Sequence, residues 1–382
     1  MIYLDHNATT PPAPAVVAAM LPVLSSLWAN TSSQHRPGQE AKRALSAARA
    51  TVARVLGCKP FEVIFTSGAT EANHIAVRGL LAASPPERRR VLFSSIEHAG
   101  HLRLARALIS AGVQVDFIPV LGNGMLDLAA TASLMGPDVA LVTLMAANNE
   151  TGVLMPVAQV AELAHAAGAL LHVDATQWIG KLPFDFASCG ADAVSLSAHK
   201  FQGPKGVGAL LLRQAVPFAP QTLGSQERGR RGGTENLAGI VGMATALELL
   251  GDIPMEAARQ TQLRDLLESG LTRRLPETHV WCQGVPRLPG TSYLRFGQLS
   301  VDVVLQRLDR LGVAASSGAA CSSGGSEPSH VLAAMGVNAS DALAAVRFSL
   351  GRSTTQDEIN NLLDTLPPLL EPMLQDELTT AP

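Results

Sequence analysis

Short apolar runs of strand length alternate with helix-length amphipathic stretches from about residue 15 to residue 250. The seven apolar runs cover residues 63–65, 91–93, 115–118, 139–145, 170–173, 193–196 and 209–212. Strands and helices that alternate at this spacing favour a mostly parallel sheet with helices on both faces. The pattern therefore predicts an α/β fold with a mostly parallel, seven-stranded sheet sandwiched by helices.

The segment after Leu250 has a different organisation. A helical stretch over 255–274, a connector rich in proline and glycine at 284–290 and a short strand near Tyr293 indicate a smaller α+β unit. We expect a large α/β domain at 15–254 and a small α+β domain made of 1–14 and 255–382.

Composition argues against several classes of protein. With 47% hydrophobic and 16% charged residues, the 382-residue chain has the balance of a folded soluble protein. A formal net charge of -3 gives no reason to expect a nucleic acid or an anionic membrane as partner. No run approaches the ~18 apolar residues of a membrane span, and the first residues lack a signal-peptide pattern, so we expect a cytoplasmic location. Four scattered cysteines without a Cys-x-x-Cys pair favour neither a disulfide scaffold nor structural zinc.

A lysine and an aspartate each lie at the end of a predicted strand. Asp174 directly follows the run 170–173, and Lys200 closes Ser-Ala-His-Lys after the run 193–196. Because ligands gather outside the carboxyl ends of parallel strands, both side chains can face one crevice. A lysine amine can form a Schiff base with an aldehyde cofactor, and a carboxylate keeps a facing pyridine nitrogen protonated. The pair indicates a pyridoxal phosphate site, although such residues taken alone are more often solvated loop residues.

The segment 66–71, Thr-Ser-Gly-Ala-Thr-Glu, lies between a predicted strand and a predicted helix. Backbone N–H groups at a helix start, next to a glycine, form a natural phosphate cradle. An ordinary helix N-cap is the alternative. The glycines at 203–208 follow the order G-x-x-G-x-G and run into a strand, which indicates a turn rather than a dinucleotide site.

Two histidines, His98 and His101, lie three residues apart. Glu97 lies outside this pair, so the H-E-x-x-H pattern of zinc proteases is absent. His98 follows the run 91–93 and could stack on a cofactor ring or transfer protons. A structural histidine is the alternative.

Cys321 lies in a segment, 314–326, that consists only of small residues. Such a composition predicts a mobile loop with an exposed thiol that can act as a nucleophile, or else a flexible linker with an incidental cysteine. Arg347 alternates with apolar residues along a short strand. Its guanidinium suits bidentate capture of a carboxylate, although a surface salt bridge is the more common role.

Eight motifs in order along the chain resemble those of cysteine desulfurases, which are pyridoxal-phosphate enzymes of the class-V aminotransferase family. They occupy residues 3–11, 67–73, 148–152, 172–177, 197–200, 231–236, 316–321 and 347–352. The resemblance covers nearly the whole chain, and it implies the fold-type I architecture of pyridoxal-phosphate transferases. The loop around Cys321 is similar to that of the subgroup with a long, mobile cysteine loop.

The resemblance implies a role for each matched residue. Lys200 forms the Schiff base, Asp174 protonates the ring nitrogen, Gln177 hydrogen-bonds the ring hydroxyl and His98 stacks on the ring. The implied phosphate ligands are Ala69, Thr70, Ser197, His199 and, from the other subunit of a homodimer, Thr234. The implied ligands of the substrate carboxylate are Asn148 and Arg347.

The implied reaction converts L-cysteine to L-alanine and transfers the sulfur to Cys321 as a persulfide. The sulfur then passes to an acceptor protein, such as an iron–sulfur scaffold or a thiolation partner. A selenocysteine lyase and a non-catalytic scaffold subunit are the alternatives. The presence of Lys200, Asp174 and Cys321 argues against the scaffold, since a degenerate copy is expected to lose at least one of them.

Overall fold

The computed structural model describes residues 1–318 and 327–380, with side chains up to residue 375. The strands are β1 Ile2–Tyr3, β2 Val63–Thr66, β3 Arg90–Ser94, β4 Val115–Ile118, β5 Val139–Met145, β6 Leu170–Asp174, β7 Ala193–Ser197, β8 Gly208–Leu212, β9 Thr278–Val280, β10 Thr291–Phe296, β11 Val313–Ala314 and β12 Val346–Ser349. The α-helices are α1 Pro14–Ser25, α2 Arg36–Val55, α3 Ala69–Ala83, α4 Ala99–Ser110, α5 Leu128–Leu134, α6 Val157–Ala166, α7 Leu237–Glu248, α8 Ile253–Arg274, α9 Val301–Arg310, α10 His330–Ala334, α11 Ala339–Leu343, α12 Gln356–Thr365 and α13 Pro367–Thr380. Short 3₁₀ helices cover Ala198–Lys200 and Gln226–Gly229.

The large sheet has seven strands in the order β2-β8-β7-β6-β5-β3-β4. All neighbours pair in parallel except at β8, which is antiparallel to both β2 and β7. All seven residues of β5 are buried, as expected for a central strand covered on both faces. The prediction of a mostly parallel, seven-stranded sheet is confirmed.

Alternate residues of the strands enter two different apolar clusters. In β3, Leu92 packs into the cluster that contains helices α2, α6 and α7, whereas Val91 and Phe93 pack into the cluster that contains α3 and α4. This division follows from the two-residue period of a strand, which points successive side chains to opposite faces of the sheet. Helices therefore cover both faces, which confirms the predicted sandwich.

Two predicted helices have boundaries that their caps explain. The amphipathic stretch between the apolar runs 115–118 and 139–145 forms α5, which begins at Leu128 because the Asp127 side chain accepts a hydrogen bond from the N–H of Ala130. The helix expected over 255–274 begins at Ile253, where the Asp252 carboxylate caps the first turn. No single helix of the described residues is long and apolar enough to cross a membrane; α7 and α8 pass that test only as a pair bent by 80°.

The chain beyond α7 forms a smaller unit with its own sheet. Strand β10 pairs antiparallel with β9 and β12, and β1 pairs in parallel with β11. Leu4 packs with Leu267 and Phe348 in a separate apolar cluster, so the amino-terminal residues contact this unit. Trp281 and Tyr293 pack instead with the core of the large sheet. The division into 15–254 and 1–14 with 255–382 stays a prediction.

Strands β5, β6 and β7 end at the same edge of the large sheet. In the parallel register, Met145 is the partner of Asp174 and Asp174 is the partner of Ser195. The residues that follow these strands therefore emerge side by side, at the edge where open α/β sheets bind ligands.

Candidate active site

A cavity of about 650 Å³ lies at this carboxyl edge of the sheet. The predicted site residues that line it are Ala69, Thr70, His98, Asp174, Gln177, Ser197, His199, Lys200 and Arg347. They come from five separate segments of the chain, at 69–70, 98, 174–177, 197–200 and 347. The fold thus brings together most of the residues that the sequence motifs single out.

The carboxylate of Asp174 is held by hydrogen bonds at the base of the cavity. The Asn73 side chain donates to Oδ2 at 2.7 Å, and the backbone N–H of Thr176 donates to Oδ1 at 2.9 Å. Burial alone would raise the pKa of Asp174, but the hydrogen bonds from Thr176 and Asn73 outweigh it and lower that pKa below its usual value. Asp174 is therefore a buried anion that can pair with a cationic ring nitrogen.

Lys200 ends the 3₁₀ turn that follows β7. Its Nζ donates to the backbone carbonyl oxygens of Asn7 at 2.6 Å and Ala8 at 2.9 Å. The amino-terminal segment thus lies against the turn that follows β7. There the side chain of Thr10 also donates to the backbone carbonyl of His199 at 2.8 Å. These contacts hold the amine at the wall of the cavity that Asp174 also lines.

The start of α3 forms a cradle of backbone N–H groups. Its N-cap residue is Gly68, and no side chain caps the first turn. The loop also lies directly on the sheet, since a Cβ on Gly208 would be 2.8 Å from the Cα of Gly68. Ser197 lies close by, with its hydroxyl 3.6 Å from where a Cβ on Gly68 would be. Free N–H groups at a helix start and a neighbouring hydroxyl suit a phosphate group.

The two histidines of the segment 97–101 occupy different environments. His98 lines the cavity and accepts a hydrogen bond from the N–H of Gly100 at 3.2 Å. Burial lowers the pKa of His98, which favours the neutral imidazole. His101 is in the core, where Nδ1 lies 2.9 Å from Oε2 of Glu97. Among the described residues, no group of three side chains suits a metal ion.

Arg347 reaches the cavity from the small unit. Its guanidinium donates to Oδ1 of Asp5 at 2.7 Å and to the backbone oxygen of Asn149 at 2.9 Å. The side chain is almost fully buried, and its Nε has no hydrogen-bond partner among the described residues. A buried guanidinium that lines a cavity is suited to bind a carboxylate there.

The structure places Asn149, not Asn148, on the cavity. The Asn148 side chain is fully buried, and its Oδ1 accepts the backbone N–H groups of Glu150 and Thr151, each at 2.9 Å. These bonds close the tight turn after β5 and leave Asn148 oriented away from the cavity. The expectation that the Asn148 side chain faces the substrate is therefore wrong in this structure, and Asn149 is the asparagine of this turn that lines the cavity.

Two further predicted residues are not part of the cavity described here. Thr234 is exposed and lines a smaller pocket of about 90 Å³ together with Ser67 and Arg231. Its expected role in the site of a second subunit stays a prediction. Cys321 lies outside the described residues, and the nearest described residue before it, Gly318, lines the cavity.

Sequence reasoning missed four residues that shape the site. Asn7 and Asn149 line the cavity, Asn73 binds Asp174, and Lys181 donates to Gln177. None lies within three residues of the end of a strand of the large sheet, as Asp174 and Lys200 do. Asn7, Asn73 and Asn149 do lie within the motifs 3–11, 67–73 and 148–152 that carry the family resemblance, and this membership is the signal that could have found them.

The cavity fits pyridoxal phosphate by the chemistry of its walls. It offers free N–H groups at one helix start for a phosphate, a buried carboxylate for a pyridinium and a lysine amine for an aldehyde. Its volume of about 650 Å³ is typical of a small-molecule site.

The chain belongs to the class-V aminotransferase family, whose model matches residues 2–362. It is 49% identical over 373 residues to the cysteine desulfurase of Cereibacter sphaeroides, with 97% of this chain and 96% of that protein covered. It is 44% identical over 372 residues to the cysteine desulfurase of Klebsiella pneumoniae, with 97% and 93% covered.

Solved structures show the same architecture. A NifS-like protein superposes with a TM-score of 0.90 at 35% identity and covers 97% of this chain and 99% of its own. A structure of SspA in complex with cysteine superposes with a TM-score of 0.82 at 31% identity, covering 92% of this chain and 99% of its own. These likenesses confirm the fold class and the family that the eight motifs predict.

Proposed function

We propose that this chain is a pyridoxal-phosphate-dependent cysteine desulfurase, which converts L-cysteine to L-alanine and retains the sulfur as a persulfide on Cys321. The observation that carries the proposal is the placement of Lys200, Asp174 and the N–H cradle of α3 around one cavity. Relatives named cysteine desulfurase, which match nearly the full chain, support this activity over others in the family.

The cavity residues would hold the cofactor at three points. Lys200 would bind its aldehyde carbon, Asp174 would pair with the ring nitrogen, and the start of α3 with Ser197 and His199 would bind the phosphate. Gln177 would hydrogen-bond the ring hydroxyl. When bound, the cofactor supplies an electron sink for the pair left at the α-carbon of the amino acid.

The remaining cavity residues would handle the substrate. Arg347 and Asn149 bind the carboxylate of L-cysteine, with Arg347 exchanging its contact to Asp5 for the substrate. His98, kept neutral by burial, can accept a proton and return it during the reaction. His98 and Lys200 line the same cavity, which suits proton transfer between the substrate and the lysine.

Cys321 would accept the sulfur by nucleophilic attack. Its thiolate forms a sulfur–sulfur bond as the carbon–sulfur bond of the substrate breaks, and the electron pair of that bond remains on the carbon fragment. Protonation of this fragment yields alanine, so no external oxidant or reductant is needed. The sequence supports this role because Cys321 follows Gly318, a cavity residue, by three positions.

The proposal includes a homodimer, an acceptor protein and a cytoplasmic site of action. Val17, Leu21 and Leu24 leave an exposed apolar patch on α1, next to Pro204, which suits burial against a second copy. Thr234 would reach the phosphate of the partner subunit. A protein such as an iron–sulfur scaffold would take the sulfur, and a reducing compartment would keep Cys321 available as a thiol.

The test is alanine release from L-cysteine by protein reconstituted with pyridoxal phosphate. We expect release by the wild-type chain and its loss in Lys200→Ala, while the exposed Lys59→Ala serves as a matched control with unchanged activity. Wild-type rates in Lys200→Ala would reject the proposal. Comparison with selenocysteine as substrate in Cys321→Ala separates a desulfurase, which loses only the cysteine reaction, from a selenocysteine lyase.

A further inference from the structure

A second lysine lies behind the cavity wall. Lys181, in the turn after β6, donates from Nζ to Oε1 of Gln177 at 2.5 Å and to Oδ1 of Asn7 at 2.6 Å. Its ammonium is thus held by two amide side chains. Both of these residues, Gln177 and Asn7, line the cavity.

These contacts fix which end of the Gln177 amide faces each neighbour. The ammonium form of Lys181 has donors only, and a backbone carbonyl oxygen lies at the other end of the amide, so Oε1 is the atom that faces Lys181. The Nε2 atom donates one of its two hydrogens to the backbone oxygen of Asn7 at 2.9 Å. The second N–H is the polar group that remains for a ligand in the cavity.

The surroundings of Lys181 are mainly cationic. Burial lowers its pKa well below the usual value, and Lys200 and Arg347 act in the same direction. His6 faces it as well, although burial and Lys181 itself keep the pKa of that histidine near 4. Asp5 is bound to Arg347 and offsets the charge of that guanidinium. The amide oxygens of Gln177 and Asn7 are therefore the direct partners of Lys181.

We propose that Lys181 is a positioning residue: it holds the Gln177 amide so that an N–H, and not the carbonyl oxygen, faces the ring hydroxyl of pyridoxal phosphate. The inference rests on the proposed function and adds a residue that does not touch the cofactor. An N–H donated to this oxygen stabilises its anionic form and weakens its hold on the proton of the neighbouring cofactor–lysine linkage. Lys181 thereby lowers the pKa of that linkage through Gln177.

The test is a pH titration of the visible absorbance of the holoenzyme, which reports the protonation of the linkage without any turnover. In Lys181→Met, which keeps the length of the side chain but donates nothing, we expect the apparent pKa to rise by about 0.5 to 1 unit, the size of one net hydrogen bond. Lys181→Arg, which retains donors and charge, is expected to titrate near the wild-type value. Lys59→Met is the matched control for loss of a lysine.

A double-mutant cycle separates positioning from a direct effect of charge. In a Gln177→Ala background, Lys181→Met is expected to cause no further shift. An equal shift in that background would overturn the inference, as would an unchanged titration in Lys181→Met. If Lys181→Met does not fold, Gln177→Glu is measured in its place, because the glutamate side chain has no N–H to donate to the ring hydroxyl. An apparent pKa in Gln177→Glu equal to that of the wild type would also overturn the inference. Wild-type protein without any cofactor absorbance would instead reject the proposed function itself.

Discussion

Asn73, in the second turn of α3, donates a hydrogen bond of 2.7 Å to the carboxylate of Asp174 at the end of β6. The same helix supplies the N–H cradle at its first turn. One helix therefore fixes the position of two groups, a phosphate cradle and a buried anion, that would bind opposite ends of one cofactor. The cradle and Asn73 are about one helical turn apart on α3, so the rigid helix sets the distance between the phosphate cradle and the residue that holds Asp174.

The Asn73 contact is expected to contribute measurably to stability. Asn73→Leu removes a donor from a buried carboxylate, and hydrogen bonds to charged groups contribute about 1.5–3 kcal/mol. We expect the free energy of unfolding of the apo-protein, measured in urea, to fall by that amount. Asn361→Leu, on the exposed face of α12, is the control and should change it little. A loss equal to that of the control would contradict the role given to Asn73.

The two adjacent asparagines are expected to respond differently to substitution. Asn149→Ala should lower kcat/KM for L-cysteine by about 10- to 100-fold, because it removes a hydrogen bond to a charged carboxylate, and leave stability nearly unchanged. Asn148→Ala should instead destabilise the protein, since its side chain holds the turn through Glu150 and Thr151. Steady-state kinetics and urea unfolding on both variants check this. The reverse pattern would restore Asn148 as the substrate ligand.

Acid is expected to destabilise the protein partly through His6. Burial lowers the pKa of His6 from 6.5 to about 4. The unfolded chain binds a proton there as the pH falls through 6.5, and the folded chain does so only near pH 4, so stability is lost as the pH falls across this window. Between pH 7 and pH 4.5 the loss from this group is about 2–3 kcal/mol. In urea unfolding at pH 7 and pH 4.5, the free energy of unfolding of His6→Gln should fall less than that of the wild type, by about 2–3 kcal/mol. An equal fall in both proteins would show that His6 is not responsible.

The apolar patch on α1 is expected to lie in a subunit contact. Leu21 and Leu24 are 58% and 64% exposed in the single chain. We expect light scattering of the wild-type protein to give twice the chain mass of 39.9 kDa. The double change Leu21→Glu and Leu24→Glu should give the monomer mass, because charged groups would have to be desolvated in the contact. Leu249→Glu, at an exposed site in another part of the chain, should stay dimeric. A monomeric wild-type protein would contradict the proposal.

The seven strands of the large sheet could be predicted because each contains a short, mainly apolar run, and most of these runs are separated by amphipathic stretches of helix length. The location of the site followed from Asp174 and Lys200, since residues at the carboxyl ends of parallel strands meet at one edge. The sequence could not decide between Asn148 and Asn149. The two side chains are chemically identical, and only the geometry of the turn after β5 separates them. It directs Asn148 to the backbone of the turn and Asn149 to the cavity.

Lys181 could not be predicted for a related reason. It lies seven residues beyond the end of β6, too far along the chain for the strand pattern to place its side chain at the sheet edge. Its spacing of four residues from Gln177 is equally compatible with a solvated lysine. Only the folded chain, in which Asn7 returns from the amino terminus to meet the turn after β6, shows that this ammonium is partly buried beside the cavity.

The most direct test of the central claim is mass spectrometry of the intact holoenzyme after incubation with L-cysteine, with alanine measured in the same sample. The account predicts the addition of one sulfur atom, mapped to the peptide that contains Cys321, together with alanine, and neither product in Lys200→Ala. Alanine formation with no sulfur on that peptide, or added sulfur in Lys200→Ala, would contradict it.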